Sequence, residues 1–250
     1  MNLKLIACKV LQRELSLLSA ECPNFIDITY IRQGFHDEPD KFRKILQDEI
    51  DKIDCGSDIH SCNSKPFDAI VIGYGLCSNG TAGISSKRHT IVIPKAHDCI
   101  TLILGSKERY REYFDAHSGG IYWYTPGWIE NTLMPSKERY DNIYREYTEK
   151  YGEENADYLI QTEQDWMTKY SYCTYVNWKE LQSQECIDYT KECAHFMKWN
   201  YDYLEGDSSL LHNMLNGKWD EKDFIVVPPG FCVEPSYDNE VLKVGKAIAQ

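Results

Sequence analysis

Two periods of apolar residues alternate along the first 105 positions. Leu3–Ala7, Ile26–Ile31, Phe67–Gly73 and Thr90–Ile93 are short runs rich in Ile and Val, bounded by Gly, Pro or polar residues, and read as strands. Helix-length segments separate them. In residues 40–53, Phe42, Ile45, Leu46, Ile50 and Ile53 recur at helical spacing and give one apolar face. Strands so continuous in apolar side chains are covered on both sides. The pattern therefore predicts an α/β fold, a mostly parallel sheet with helices on both faces.

After Gly105 the texture changes. Ser106–Phe114 predicts a helix with Ser106 as its N-cap and Glu108 in the first turn. Gly120–Thr125 reads as a strand leading into Pro126-Gly127-Trp128. Residues 135–217 read as helical, polar and dense in Tyr and Trp. The string SKERY at Ser136–Tyr140 repeats Ser106–Tyr110, and with different flanks it marks a second helix start rather than a duplication. Phe224–Val227, ahead of Pro228-Pro229-Gly230, reads as a strand returning to the first sheet. The expected organisation is an α/β core over 1–134, an aromatic-rich helical insertion or cap over 135–217, and a return to the core over 218–250.

A formal charge of −12, with no cluster of Lys and Arg, excludes a nucleic-acid partner and docking on an anionic membrane surface. No apolar run reaches the roughly 18 residues of a membrane span, and polar residues interrupt the N-terminal stretch, so a cytoplasmic protein is expected. In that compartment the ten cysteines divide between packing and chemistry rather than forming disulfides. No CxxC pair occurs, so a metal site has to be assembled from residues distant in sequence.

Open α/β sheets bind ligands outside the carboxyl ends of their strands. Cys8 closes the first predicted strand, Gly73–Gly80 (GYGLCSNG) follows the third, and His97-Asp98-Cys99 follows the fourth. Cys8, Cys77, His97 and Cys99 are the expected metal ligands. Thiolates with an imidazole suit zinc, which keeps an open position for substrate when the protein supplies three ligands. Cys77, His97 and Asp98 are the catalytic candidates; Asp98 either orients the imidazole or caps the helix near Cys99. His36 is a further ligand candidate. Gly73, Gly75 and Gly80 resemble a phosphate-binding turn, a cofactor-binding role, although neither the dinucleotide fingerprint nor a P-loop is present; alternatively they only let Cys77 face the crevice. Cys22, Cys55, Cys62, Cys173, Cys186 and Cys193 read as packing. Aromatic residues from Tyr122 to Trp178 allow a cation cage, or simply pack the helical segment.

Together Cys8, His36-x-x-Pro39, GYGLC at Gly73–Cys77, HDC at His97–Cys99, LGS at Leu104–Ser106 and GIYWYTPGW at Gly120–Trp128 resemble an uncharacterised bacterial and archaeal domain-of-unknown-function family. That family is often encoded beside corrinoid-dependent methyltransferases. The resemblance covers about the first 130 residues and the PPG near the end, and it implies corrinoid-linked one-carbon metabolism. His97-x-Cys99 is also similar to the His-x-Cys pair of zinc-dependent methylcobamide:thiol methyltransferases, in which zinc presents a thiol as thiolate. The resulting expectation is a zinc-binding protein promoting methyl transfer to a thiol-type acceptor, with the corrinoid on a partner protein. The rivals are a non-catalytic carrier of a metal, corrinoid or cluster, and a metal-free enzyme with Cys77 as nucleophile and His97 as base.

Overall fold

The computed structural model describes residues 1–35, 37–58 and 65–246. The chain divides into two compact units, residues 1–110 with 207–250 and residues 111–206.

The first unit opens with β1 (Asn2–Cys8), a 3-10 turn over Lys9–Leu11 and α1 (Gln12–Glu21), then β2 (Phe25–Ile31) and α2 (Pro39–Cys55). Next come β3 (Ala69–Gly73), β4 (Ile91–Pro94), α3 (Cys99–Leu104) and α4 (Lys107–Ala116), and the unit boundary falls inside α4. The expected parallel sheet is present. β2, β1, β3 and β4 lie side by side and parallel. Burial explains the run-like strands: every residue of β3 and β4 is buried, and so is β1 beyond Asn2.

The strand order 2-1-3-4 means that the chain leaves β1 one way to form β2 and then crosses over β1 to form β3. Right-handed crossovers therefore send α1 and α2 to opposite faces. The order reverses between β1 and β3, and that point, at the carboxyl edge, is where such sheets open a crevice. Asp54, near the end of α2, ties that helix to the lead-in of β4. Its carboxylate accepts hydrogen bonds from Ser86 Oγ (2.8 Å), the Lys87 amide (2.6 Å) and His89 Nδ1 (2.8 Å).

The second unit contains β5 (Ile121–Tyr124), α5 (Pro126–Asn131), α6 (Lys137–Tyr151), α7 (Glu153–Gln164), β6 (Tyr172–Asn177), α8 (Gln184–Met197) and β7 (Asn200–Glu205). β5, β6 and β7 form their own parallel sheet. The segment expected to be all-helical thus holds two strands, and β5, placed with the core by sequence, pairs with β6 instead. Compact-unit boundaries at 110 and 206 accordingly lie before the expected 134 and 217. Both SKERY segments start helices in the same way: Ser106 Oγ accepts the Arg109 amide (3.0 Å) and Ser136 Oγ the Arg139 amide (3.1 Å).

The chain returns to the first unit through α9 (Ser209–Leu215) and β8 (Phe224–Val227), which joins β4 antiparallel at the sheet edge. A hairpin of β9 (Phe231–Pro235) and β10 (Leu242–Lys246) follows. Among the described residues no helix is long and apolar enough to cross a membrane.

Candidate functional site

Three of the four expected ligands come together at the β1/β3 reversal. Cys8 is the last residue of β1, Cys77 lies in the loop after β3, and Cys99 begins α3 after β4. All three are buried, at 2%, 3% and 1% exposure. The two loops that carry Cys77 and Cys99 are stitched to each other: the Leu76 amide donates to Ala96 O (2.8 Å) and the Cys77 amide to His97 O (2.9 Å).

Glycine permits that approach. A Cβ on Gly75 would stand 2.6 Å from Ala96 O and 2.7 Å from Asp98 N, both main-chain atoms. A Cβ on Gly73 would meet the Ala7 side chain, and one on Gly80 the ring of Phe42. The glycines expected to cradle a phosphate therefore serve close packing, and the amides of Leu76 and Cys77 are already engaged.

Past Leu76 the backbone turns left-handed at three successive non-glycine residues, Cys77 (φ +46°), Ser78 (φ +56°) and Asn79 (φ +64°). Each such residue costs on the order of 1–2 kcal/mol relative to the right-handed region. The Gly80 amide closes the turn on Cys77 O at 2.9 Å, and Arg43 Nη2 holds Asn79 O at 3.0 Å. Strain of this kind persists only where the surroundings impose it, and it gathers at functional sites.

The three sulfurs are near enough to perturb one another, Cys99 feeling both Cys77 and Cys8. The Cys99 thiol, joined by the Val10 and Lys9 amides and the Tyr74 hydroxyl, lowers the pKa of Cys8 against the opposing effect of burial. Cys99 itself is pushed well up by its bonds to Cys77 and Cys8 and by burial. Burial and the neighbouring sulfurs raise the pKa of the Tyr74 phenol, whose hydroxyl donates to Ile31 O at 3.4 Å. The two thiols thus shift in opposite directions, Cys8 down and Cys99 up.

His97 is exposed, and what it contributes to the loop contact is its carbonyl rather than its ring. Asp98 Oδ1 accepts from the Thr101 amide (3.0 Å) and hydroxyl (3.2 Å), so it caps α3, one of the two roles expected for it. His36 and Cys62 lie outside the described residues. Of the other cysteines, Cys173 and Cys193 are buried as expected, and burial raises them to about 12 and about 11. Cys22 and Cys186 are only half-buried and Cys55 is exposed. Among the described residues no group of three or more His, Cys, Asp and Glu side chains stands ready-made around a metal position.

Beside Cys8 a shallow cleft with room for about one water opens between residues 32–35, Phe42 and Tyr74. Arg32 and Tyr74 are the site residues that sequence reasoning did not single out. Tyr74 sits inside the quoted GYGLC, and Arg32 is the first residue after β2, so position at a strand end was the available signal.

In the second unit, Tyr122, Trp166, Tyr170 and Trp199 pack on one another with ring centroids 5.3–6.2 Å apart. These rings fill each other's faces, and Arg139 lies over Trp166 at 5.5 Å. Packing rather than an open cage describes this cluster.

The fold and the site define a doubly wound α/β protein with three buried thiols at its topological reversal. The chain belongs to the family described as "Protein of unknown function (DUF1638)", which it matches over residues 30–215. Cys77 and Cys99 fall within the matched residues and Cys8 before them. No curated protein and no solved structure matches the chain.

Proposed function

We propose that Cys8, Cys99 and Cys77 hold a thiophilic metal ion, zinc foremost, and that the centre serves corrinoid-linked methyl transfer to a small thiol. The observation that carries this reading is the gathering of three buried thiols where an α/β sheet opens its crevice. The donor set fits the ion. Two thiolates on a tetrahedral zinc with bonds of about 2.3 Å stand roughly 3.8 Å apart, a separation similar to that of hydrogen-bonded thiols. Binding the ion would require the three thiols to close around it with loss of their protons.

A zinc ion there would stabilise a substrate thiol as thiolate, the nucleophile that accepts a methyl group from a corrinoid carried by a partner protein. The chain's own part is to hold and orient. Cys99 lowers the pKa of Cys8 against the effect of burial, and the left-handed turn fixes Cys77 against the β4–α3 loop. His97, at the exposed edge, is near enough in sequence to serve as an outer ligand or proton acceptor.

The test is the metal content of protein purified without oxygen. About one zinc per chain is expected in the unaltered protein, falling to a small fraction in Cys99→Ser and in Cys77→Ser. With methylcobalamin and a panel of thiols, the zinc-loaded protein should demethylate the corrinoid faster than free zinc does. Unaltered metal content in both variants refutes the ligand assignment. A metal-free protein whose Cys8 alone is alkylated would favour the nucleophile reading instead, moved from Cys77 to Cys8. Full metal content without demethylation, even beside a corrinoid protein, would favour a carrier.

A further inference from the structure

Cys8 and Cys99 stand differently toward solvent. Cys8 ends β1 and lines the shallow cleft beside Phe35, Phe42 and Tyr74, whereas Cys99, at the start of α3, lines no part of it. The cleft has room for about one water. Its aromatic walls brace each other: Phe35 stacks on Phe42 at 6.3 Å, and Phe42 leans on Tyr74 at 4.8 Å. Walls packed in this way do not widen for a bulky reagent. Of the reagents that oxidise sulfur, hydrogen peroxide is little larger than water. A shallow cleft lets one of its oxygens enter while the other stays in solvent.

The two thiols are near enough to perturb one another, and they do so in opposite senses. Cys99 lowers the pKa of Cys8 against the effect of burial, while Cys77, Cys8 and burial raise that of Cys99. The thiolate is the nucleophile, so Cys8 is the member suited to attack. The main chain around the pair is fixed. Cys8 lies in register with Ile31 of β2, and the loop leading to Cys99 is held by the Leu76 and Cys77 amides. The thiols therefore meet by side-chain rotation, without a loop having to close.

We infer that Cys8 and Cys99 form a peroxide-reactive pair, with Cys8 oxidised first at the cleft and Cys99 closing a disulfide onto it. In the first step the Cys8 sulfur bonds to one peroxide oxygen, the O–O bond breaks, and hydroxide leaves. Cys8 is then a sulfenic acid. In the second step the Cys99 sulfur attacks Cys8, the S–O bond breaks, and the Cys99 proton departs with the hydroxyl as water. Each sulfur gives up one electron, and the two peroxide oxygens receive the pair. Where the thiols hold zinc, oxidation withdraws two ligands and releases the ion. That consequence rests on the metal-centre reading; the reactive pair does not.

The experiment uses the full chain, reduced, stripped of metal and treated with one equivalent of hydrogen peroxide. Peptide mapping without reductant is expected to find the Cys8 and Cys99 peptides joined, with two of the ten thiols lost. In Cys99→Ser, Cys8 should stop at the sulfenic acid and be captured by dimedone, a carbon nucleophile selective for that state. Cumene hydroperoxide, too bulky for the cleft, tests the size limit. Measured against exposed Cys55, its rate at Cys8 should fall below that of hydrogen peroxide by about tenfold or more, since access sets the rate at an enclosed thiol.

A Cys8 that stays reduced while Cys55 is oxidised would overturn the inference. So would any set of disulfides that omits Cys8–Cys99, or equal relative rates with the two hydroperoxides. The map of the unaltered chain decides the matter even where Cys99→Ser fails to fold. Zinc content is followed separately, in protein purified with its metal. Full zinc content, with no Cys8–Cys99 disulfide in the oxidised metal-free chain, strikes the pair and leaves the metal centre. A disulfide in a chain that never binds zinc leaves the pair without the metal centre. Where both hold, zinc should be released in step with disulfide formation.

Discussion

Burial pushes the Asp54 carboxyl toward its neutral form, yet the bonds donated by His89, the Lys87 amide and Ser86 outweigh it and hold its pKa below the ordinary value. A carboxylate whose folded pKa is depressed adds stability that is present above its unfolded value, about 3.9, and is lost as pH falls through the lower folded value. Asp54→Asn should therefore cost about 1–3 kcal/mol at pH 7, because buried donors lose a charged acceptor. The deficit should shrink as the pH is taken below 4. Urea midpoints of the two proteins at pH 7 and pH 3 give the comparison, and an equal deficit at both would show that charge has no part in it. Cys8 and Cys99 follow the same logic in opposite senses: the bond that favours the thiolate of Cys8 favours the thiol of Cys99.

At the scale of elements, the site depends on two loops that approach more closely than side chains allow. Gly75→Ala would drive a methyl into Ala96 O and Asp98 N, main-chain atoms that cannot rotate away. We expect a loss of about 1–3 kcal/mol, typical of overpacking, together with reduced metal content, because Cys77 and Cys99 ride on the parted loops. A destabilised protein with full metal content would separate the glycine from the site. The strands of the first unit were legible because burial on both sides makes each an unbroken apolar run. β7 was not, since Asn200–Glu205 is half polar and exposed in part, and its strand form comes from pairing with the buried β6. The thiols were legible from strand ends alone. Which part of a residue faces inward was not: His97 offers its carbonyl to the loop contact, a choice made by tertiary hydrogen bonding.

For the whole molecule, the second unit is one continuous stretch set into a discontinuous one. The chain re-enters the first unit beside the place it left: the Asp207 amide donates to Ile103 O at 3.0 Å, and Asp207 stands where a side chain on Gly105 would go. Ends held so close can be joined by a short connection at little entropic cost. Replacing residues 111–206 with a brief Gly/Ser linker should leave a cooperatively folded protein that retains the three buried thiols. Zinc binding and a single unfolding transition of the shortened chain are the readouts. Failure to fold would mean that the first unit depends on the second.

The three buried thiols stand at positions 8, 77 and 99, and this spacing has a consequence during synthesis. At about 5–20 residues per second, the ribosome finishes Cys99 roughly 5–20 s after Cys8. Throughout that interval the nascent chain displays its first thiol without the neighbour that will shift its ionisation. The centre is therefore complete only after all four parallel strands have been made, and oxidants or stray metal ions meet a different molecule on the ribosome from the one they meet afterwards.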